Sequence, residues 1–131
     1  MGQDSRLTKP GQFALVYRQG RSWTSGPLVL RAMPNGLTAT RCGFSVSRRI
    51  GNAVTRNRVK RRLREIMRTE NLRPGNDIVL IARTMAPQAG YAGLREAAQV
   101  LLARAKLLAG PEETGPAGIG AGTVADTGRI E

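Results

Sequence analysis

The run Asp77-Ile78-Val79-Leu80-Ile81-Ala82-Arg83 constrains the fold more than any other stretch, because it is apolar at consecutive positions and closed by a charge at each end. Side chains of a strand alternate between the two faces of a sheet, so an unbroken apolar run reads as a central strand covered on both sides. Other elements must therefore supply one apolar face to each side of it. The preceding Arg73-Pro74-Gly75-Asn76 has turn chemistry and separates this strand from whatever comes before.

What comes before is a basic helix. Between Arg41 and Arg68 the chain packs ten Lys or Arg into 28 residues. Asn52 is a natural N-cap, and good helix formers run from Ala53 to Thr69. Taking Val59 as origin and about 100° per residue, Leu63, Ile66 and Met67 fall within about 80° of it and form a docking stripe. Asn57, Arg61, Arg64 and Arg68 fall near the opposite side. Arg56 and Lys60 lie between, where they edge a groove between helix and sheet. A solvated charged face usually mixes signs, whereas Arg56 to Arg68 holds seven basic residues against one acidic, Glu65.

Elsewhere the elements are shorter. Thr8 to Gln19 reads as a helix with Pro10 near its first turn and Gly20 as a stop, placing Phe13, Val16 and Tyr17 on one face. By spacing alone Phe13 and Tyr17 are core packing. With Arg18 and Arg21 beside them they also suit a stacking platform for unpaired bases. Leu28 to Met33 and Leu37 to Ser47 read as strands joined by Pro34-Asn35-Gly36 into a hairpin, and Trp23 suggests a short strand ahead of Gly26-Pro27. The strand ending at Ser47, the basic helix and the strand from Asp77 make a βαβ unit, right-handed by the general rule. Tyr91 to Leu108 closes the domain as a helix with Leu94, Ala97, Ala98, Leu101, Leu102 and Ala105 at helical spacing.

Residues 1–110 hold 20 Lys or Arg against 5 Asp or Glu, whereas 111–131 hold 1 against 4. We expect one folded domain over 1–110 and a disordered, acidic Gly/Pro/Ala-rich tail over 111–131. A surface with such an excess of positive charge suits a phosphate backbone. A membrane-surface helix would need a broader apolar face with interfacial aromatics, so no membrane partner is expected. The chain has one Cys, Cys42, and no His. That excludes an internal disulfide and His-based catalysis and argues against a metal site or a protein-borne nuclease. The absence of a spanning run or signal peptide leaves the cytoplasm as the expected compartment.

The segment Gly43-Phe44-Ser45-Val46-Ser47-Arg48-Arg49-Ile50-Gly51-Asn52-Ala53-Val54-Thr55-Arg56-Asn57-Arg58-Val59-Lys60-Arg61 resembles the signature of the bacterial ribonuclease P protein subunit, its RNR motif and flanking strand. Phe13 and Tyr17 sit where that family has a leading-helix aromatic pair, and Asp77 to Arg83 resembles its strand after the motif helix. The resemblance implies an α+β fold with a small, mostly antiparallel sheet of about four strands and three helices, in the order αβββαβα. It also implies a left-handed crossover through the motif helix, and on this point we follow the resemblance over the general rule.

The function implied is that of a cofactor to a catalytic RNA, which removes the 5′ leader of precursor tRNA with Mg²⁺ bound mainly by the RNA, while the protein contributes no catalytic residue. Arg56, Asn57, Arg58, Lys60 and Arg61 match the motif, and Arg64 and Arg68 continue its outward face, joined by Arg48 and Arg49 in the preceding loop. Phe13 and Tyr17, with Arg56 and Lys60, match the leader-binding cleft. Arg31 stands where family members often carry an aromatic. The expected partners are the ribonuclease P RNA and precursor tRNA, one protein monomer per RNA. A ribosomal or RNA-chaperone protein shares size and basicity, and would need no leader cleft.

Overall fold

The structure is a computed structural model and describes residues 6–109. The expected tail lies outside the described residues. In chain order the elements are α1 (Pro10–Gln19), β1 (Arg21–Ser25), β2 (Leu28–Pro34), β3 (Arg41–Ser45), a single 3-10 turn (Arg48–Ile50), α2 (Ala53–Arg68), β4 (Asn76–Ala82) and α3 (Ala86–Arg104). The order αβββαβα is the expected one. Tyr91 opens the regular part of α3, because Gly90 has φ 69° and breaks the helix from the turn ahead of it.

The four strands lie in the order β1-β2-β4-β3. As its two-sided apolar sequence requires, β4 is inside the sheet, antiparallel to β2 and parallel to β3. The hairpin expected between the strands at Leu28 and Leu37 does not form. The hairpin is instead β1–β2, with Trp23 opposite Leu30, and β2 and β3 flank β4. Pro34-Asn35-Gly36 starts a connection that bends over the entrance to β4 and is tied to it. The Asn35 amide donates to the Gly75 carbonyl at 2.9 Å, its Nδ2 donates to Asp77 Oδ1 at 2.8 Å, and Thr40 Oγ1 accepts from the Asn76 amide at 3.1 Å. These bonds hold β2 and β3 two strand spacings apart, which is the width β4 needs.

Alternation then assigns the faces. Leu28, Leu30, Ala32, Ile78, Leu80 and Ala82 meet α2 and α3, with Val59, Leu63, Ile66 and Met67 of α2 all buried in the same core. Burying those four is worth about 2 kcal/mol each. On the other face a smaller cluster joins Leu7, Val16 and Val79, with Phe13, Met33 and Ile81 packed on it, and α1 covers this side.

The handedness of the crossover follows from one hydrogen bond. The Leu7 amide donates to the Cys42 carbonyl at 2.9 Å, so that carbonyl points to the outer edge of β3, away from β4. Cys42 packs on the α2 side of the sheet. For an L-residue viewed from its side-chain face with the strand running upward, the carbonyl points right, which places β4 to the left of β3. With α2 in front, β3–α2–β4 is left-handed, against a rule obeyed in about 98% of such units.

Candidate nucleic-acid interface

The basic surface is built on the start of α2. Ser47 Oγ accepts from the Arg49 amide at 3.3 Å and shapes the 3-10 turn. Gly51 follows with φ 152°, a conformation that side chains disfavour. Asn52 caps the helix as expected, its Oδ1 accepting from the Thr55 amide at 2.9 Å. Arg56 turns back over this corner, and its Nε donates to the Gly51 carbonyl at 3.1 Å. Four buried side chains then fix the rotation of α2 about its axis.

With that rotation fixed, Arg48, Arg49, Asn57, Arg58, Arg61, Arg64 and Arg68 are exposed, while Arg56 and Lys60 are half-buried. Exposure separates the two sets as the helix wheel expects. The groove between α2 and β3, however, is lined by Arg64 and Arg68, which the wheel placed on the outward side, and not by Arg56 or Lys60. Arg68 is not simply displayed to solvent: its guanidinium pairs with Glu65 at 2.6 Å. Such an exposed pair is worth less than about 1 kcal/mol and gives way readily to a phosphate.

Phe13 and Tyr17 stand on the other side of the sheet, on α1. The Phe13 ring lies over Gly43 so closely that a Cβ placed there would be 2.6 Å from its Cζ. Tyr17 is 40% exposed. Arg56 and Lys60 belong to the helix on the opposite face, so the four residues expected to line the leader cleft are divided between the two sides of the sheet. Arg31 does not enter the cleft as an aromatic would: its Nη2 donates to the carbonyls of Tyr17 and Gly20, at 2.5 and 3.1 Å, and holds the end of α1.

At the other end of β3, Asp77 is buried and accepts two bonds from Arg41, at 2.9 and 2.8 Å. This bidentate pair ties β3 to β4 on the face opposite α2. Burial, with the Asp77 carboxylate adding to it, pushes the Cys42 thiol up to about 12. Sequence reasoning overlooked Arg6. It pairs with Cys42 across a single parallel bridge and shares a groove with Arg64 and Arg68, a juxtaposition that no local pattern announces. Among the described residues no group of three His, Cys, Asp or Glu is placed to hold a metal ion, and no helix is long and apolar enough to cross a membrane.

Residues 1–106 match the family model described as Ribonuclease P. The ribonuclease P protein component of Roseiflexus castenholzii is 44% identical over 108 residues, covering 80% of this chain and 88% of that protein. That of Dehalococcoides mccartyi is 39% identical over 113 residues, covering 86% and 94%. Among solved structures, the Staphylococcus aureus RNase P protein superposes with a TM-score of 0.73 at 29% identity, covering 81% of this chain and 99% of that one. The Thermotoga maritima RNase P protein gives 0.70 at 32% identity, covering 77% and 97%.

Proposed function

The chain belongs to the ribonuclease P protein family, and from that premise we infer that it binds the catalytic RNA of the enzyme with one surface and the 5′ leader of precursor tRNA with another. The observation that carries the reading is the two-sidedness of α2: one stripe locked into the core, and a fan of exposed arginines on the opposite side.

Arg61, Arg64 and Arg68 pair with phosphates of the folded RNA, joined by Arg48 and Arg49 ahead of the helix and by Asn57 and Arg58. Phosphate contacts position a protein on RNA without reading sequence, which suits a subunit that serves one large structured partner. The leader, as a single strand, is held by stacking on Phe13 and Tyr17 and by the charges of Arg56 and Lys60 near the β3 end. Hydrolysis belongs to the RNA and its Mg²⁺, with one protein per RNA, in the cytoplasm. The protein screens phosphate repulsion between the catalytic RNA and its substrate, and so lowers the Mg²⁺ the reaction requires.

Reconstitution with a ribonuclease P RNA and 5′-labelled precursor tests this. Added protein is expected to tighten binding of precursor tRNA more than of mature tRNA. Equal effects on the two would remove the leader surface, and cleavage by the protein alone would overturn the ribozyme-cofactor reading.

A further inference from the structure

A groove of about 500 Å³ runs between the C-terminal half of α2 and the outer edge of β3, on the face away from Phe13 and Tyr17. Its floor is apolar, made by Cys42, Phe44, Met67 and Leu72, and its rim carries Arg6, Arg64 and Arg68. The size is that of a ligand cleft, about 300–1,000 Å³. Nothing acidic lies on the floor: the Cys42 thiol, pushed up to about 12, stays protonated at neutral pH.

The edge of β3 adds a polar element. The Cys42 carbonyl points outward to Leu7, and strand alternation turns the amide and carbonyl of Phe44 outward on the same edge. One main-chain donor and one acceptor thus stand beside an aromatic ring, beneath a cationic rim. The geometry points to a binding site for an unpaired nucleotide of the ribonuclease P RNA, its base stacked on Phe44 and its phosphates on Arg64 and Arg6. A base and its phosphate are the one pairing of flat apolar face and negative charge in RNA, and this combination of aromatic floor and cationic groove is what single strands select. An acidic peptide would satisfy the rim and leave the floor bare. The inference rests on the reading that the outward face of α2 binds that RNA, and it adds a splayed-out base to what was a set of phosphate contacts.

The test uses the full chain bound to ribonuclease P RNA transcribed with 4-thiouridine or, separately, 6-thioguanosine, followed by irradiation and peptide mapping. Label is expected on the tryptic peptide 42–48, which holds Cys42 and Phe44 and is separate from peptide 7–18, which holds Phe13 and Tyr17. Phe44→Leu stays apolar while removing the stacking face. It is expected to lose that label and to weaken RNA binding about 10-fold, within the roughly 5- to 150-fold expected for one stacked base, at unchanged salt dependence. The variant still folds, its melting temperature lowered by loss of the packing Phe44 gives the core. RNA that binds normally but labels only 7–18, or nothing, overturns the groove and leaves the parent reading intact. So does wild-type affinity in Phe44→Leu. If the RNA does not bind at all, both fall. A groove covered by a second copy of the chain, seen as a dimer that Phe44→Leu dissociates, would also overturn it.

Discussion

Gly43→Ala is the substitution through which the arrangement of α1 on the sheet is most directly tested. A Cβ at this position would stand 2.6 Å from Phe13 Cζ, 2.9 Å from Phe13 Cε2 and 2.9 Å from Leu7 Cβ. Carbon atoms rest at about 3.5–4.0 Å, so at least one neighbour must move by most of an ångström. The ring can swing outward, but Leu7 is anchored by the hydrogen bond its amide donates to the Cys42 carbonyl, and the two cannot both yield without lifting α1. Overpacking of this kind costs about 1–3 kcal/mol. At about 4–8 °C per kcal/mol for a domain of this size, a cost near 2 kcal/mol lowers the melting temperature by roughly 8–16 °C.

The same displacement spoils the proposed stacking surface while leaving α2 on its own face. Reconstituted enzyme should therefore lose preference for precursor over mature tRNA, at nearly unchanged affinity for the catalytic RNA. Phe13→Leu removes the two ring atoms in closest approach, so in a double-mutant cycle the second change should cost about 1 kcal/mol less than it does alone. A Gly43→Ala protein as stable as the parent, with additive behaviour toward Phe13→Leu, would refute the placement of the ring.

Other expectations are separable from this one. Arg64→Ala should weaken assembly with the catalytic RNA and reduce the slope of log K against log salt, about −4 to −5 if six phosphates are neutralised, by about 0.7–0.9. Arg56→Ala should act on leader discrimination instead, and identical phenotypes in filter binding would refute the division of α2. Asp77→Asn leaves Arg41 facing a neutral partner in a buried setting and should cost about 3 kcal/mol in urea unfolding; a loss below about 0.5 kcal/mol would mean the pair does not hold β3 to β4. Because the Cys42 thiol sits at about 12 when folded, against 9.0 ordinarily, the unfolded chain loses its proton first. Stability from this group is thus intact below about pH 9 and falls as pH rises from there toward 12. Native protein at pH 8 should resist iodoacetamide until urea is added, and rapid native alkylation would contradict it.

Much of this was legible because the chain announces it locally. Asn52, the stripe from Val59 to Met67 and the stop at Arg73-Pro74 delimit α2, and two-sided apolarity places β4 inside the sheet. The failure at Pro34-Asn35-Gly36 is informative: turn residues report that the chain turns, while what fills the gap beyond is decided by Asn35 meeting Asp77 and Thr40 meeting Asn76 across some forty positions. For the same reason neither the capping of α1 by Arg31 nor the approach of Arg6 to Arg64 has a sequence signature. Handedness was the reverse case. The general rule pointed one way, the resemblance the other, and the carbonyl of Cys42 decides for the resemblance.

The central place of β4 has a consequence in time. A ribosome delivers β2, β3 and all of α2 before it delivers the strand that lies between the first two, and an isolated β1–β2 hairpin is marginal on its own. Until α3 has emerged as well, the arginines of α2 are a charge without a shape. Insertion of β4 closes the sheet, but the core that holds the stripe of α2 also takes Leu94, Ala98, Leu101 and Leu102 from α3. The basic helix therefore gains its bearings only when the last element docks.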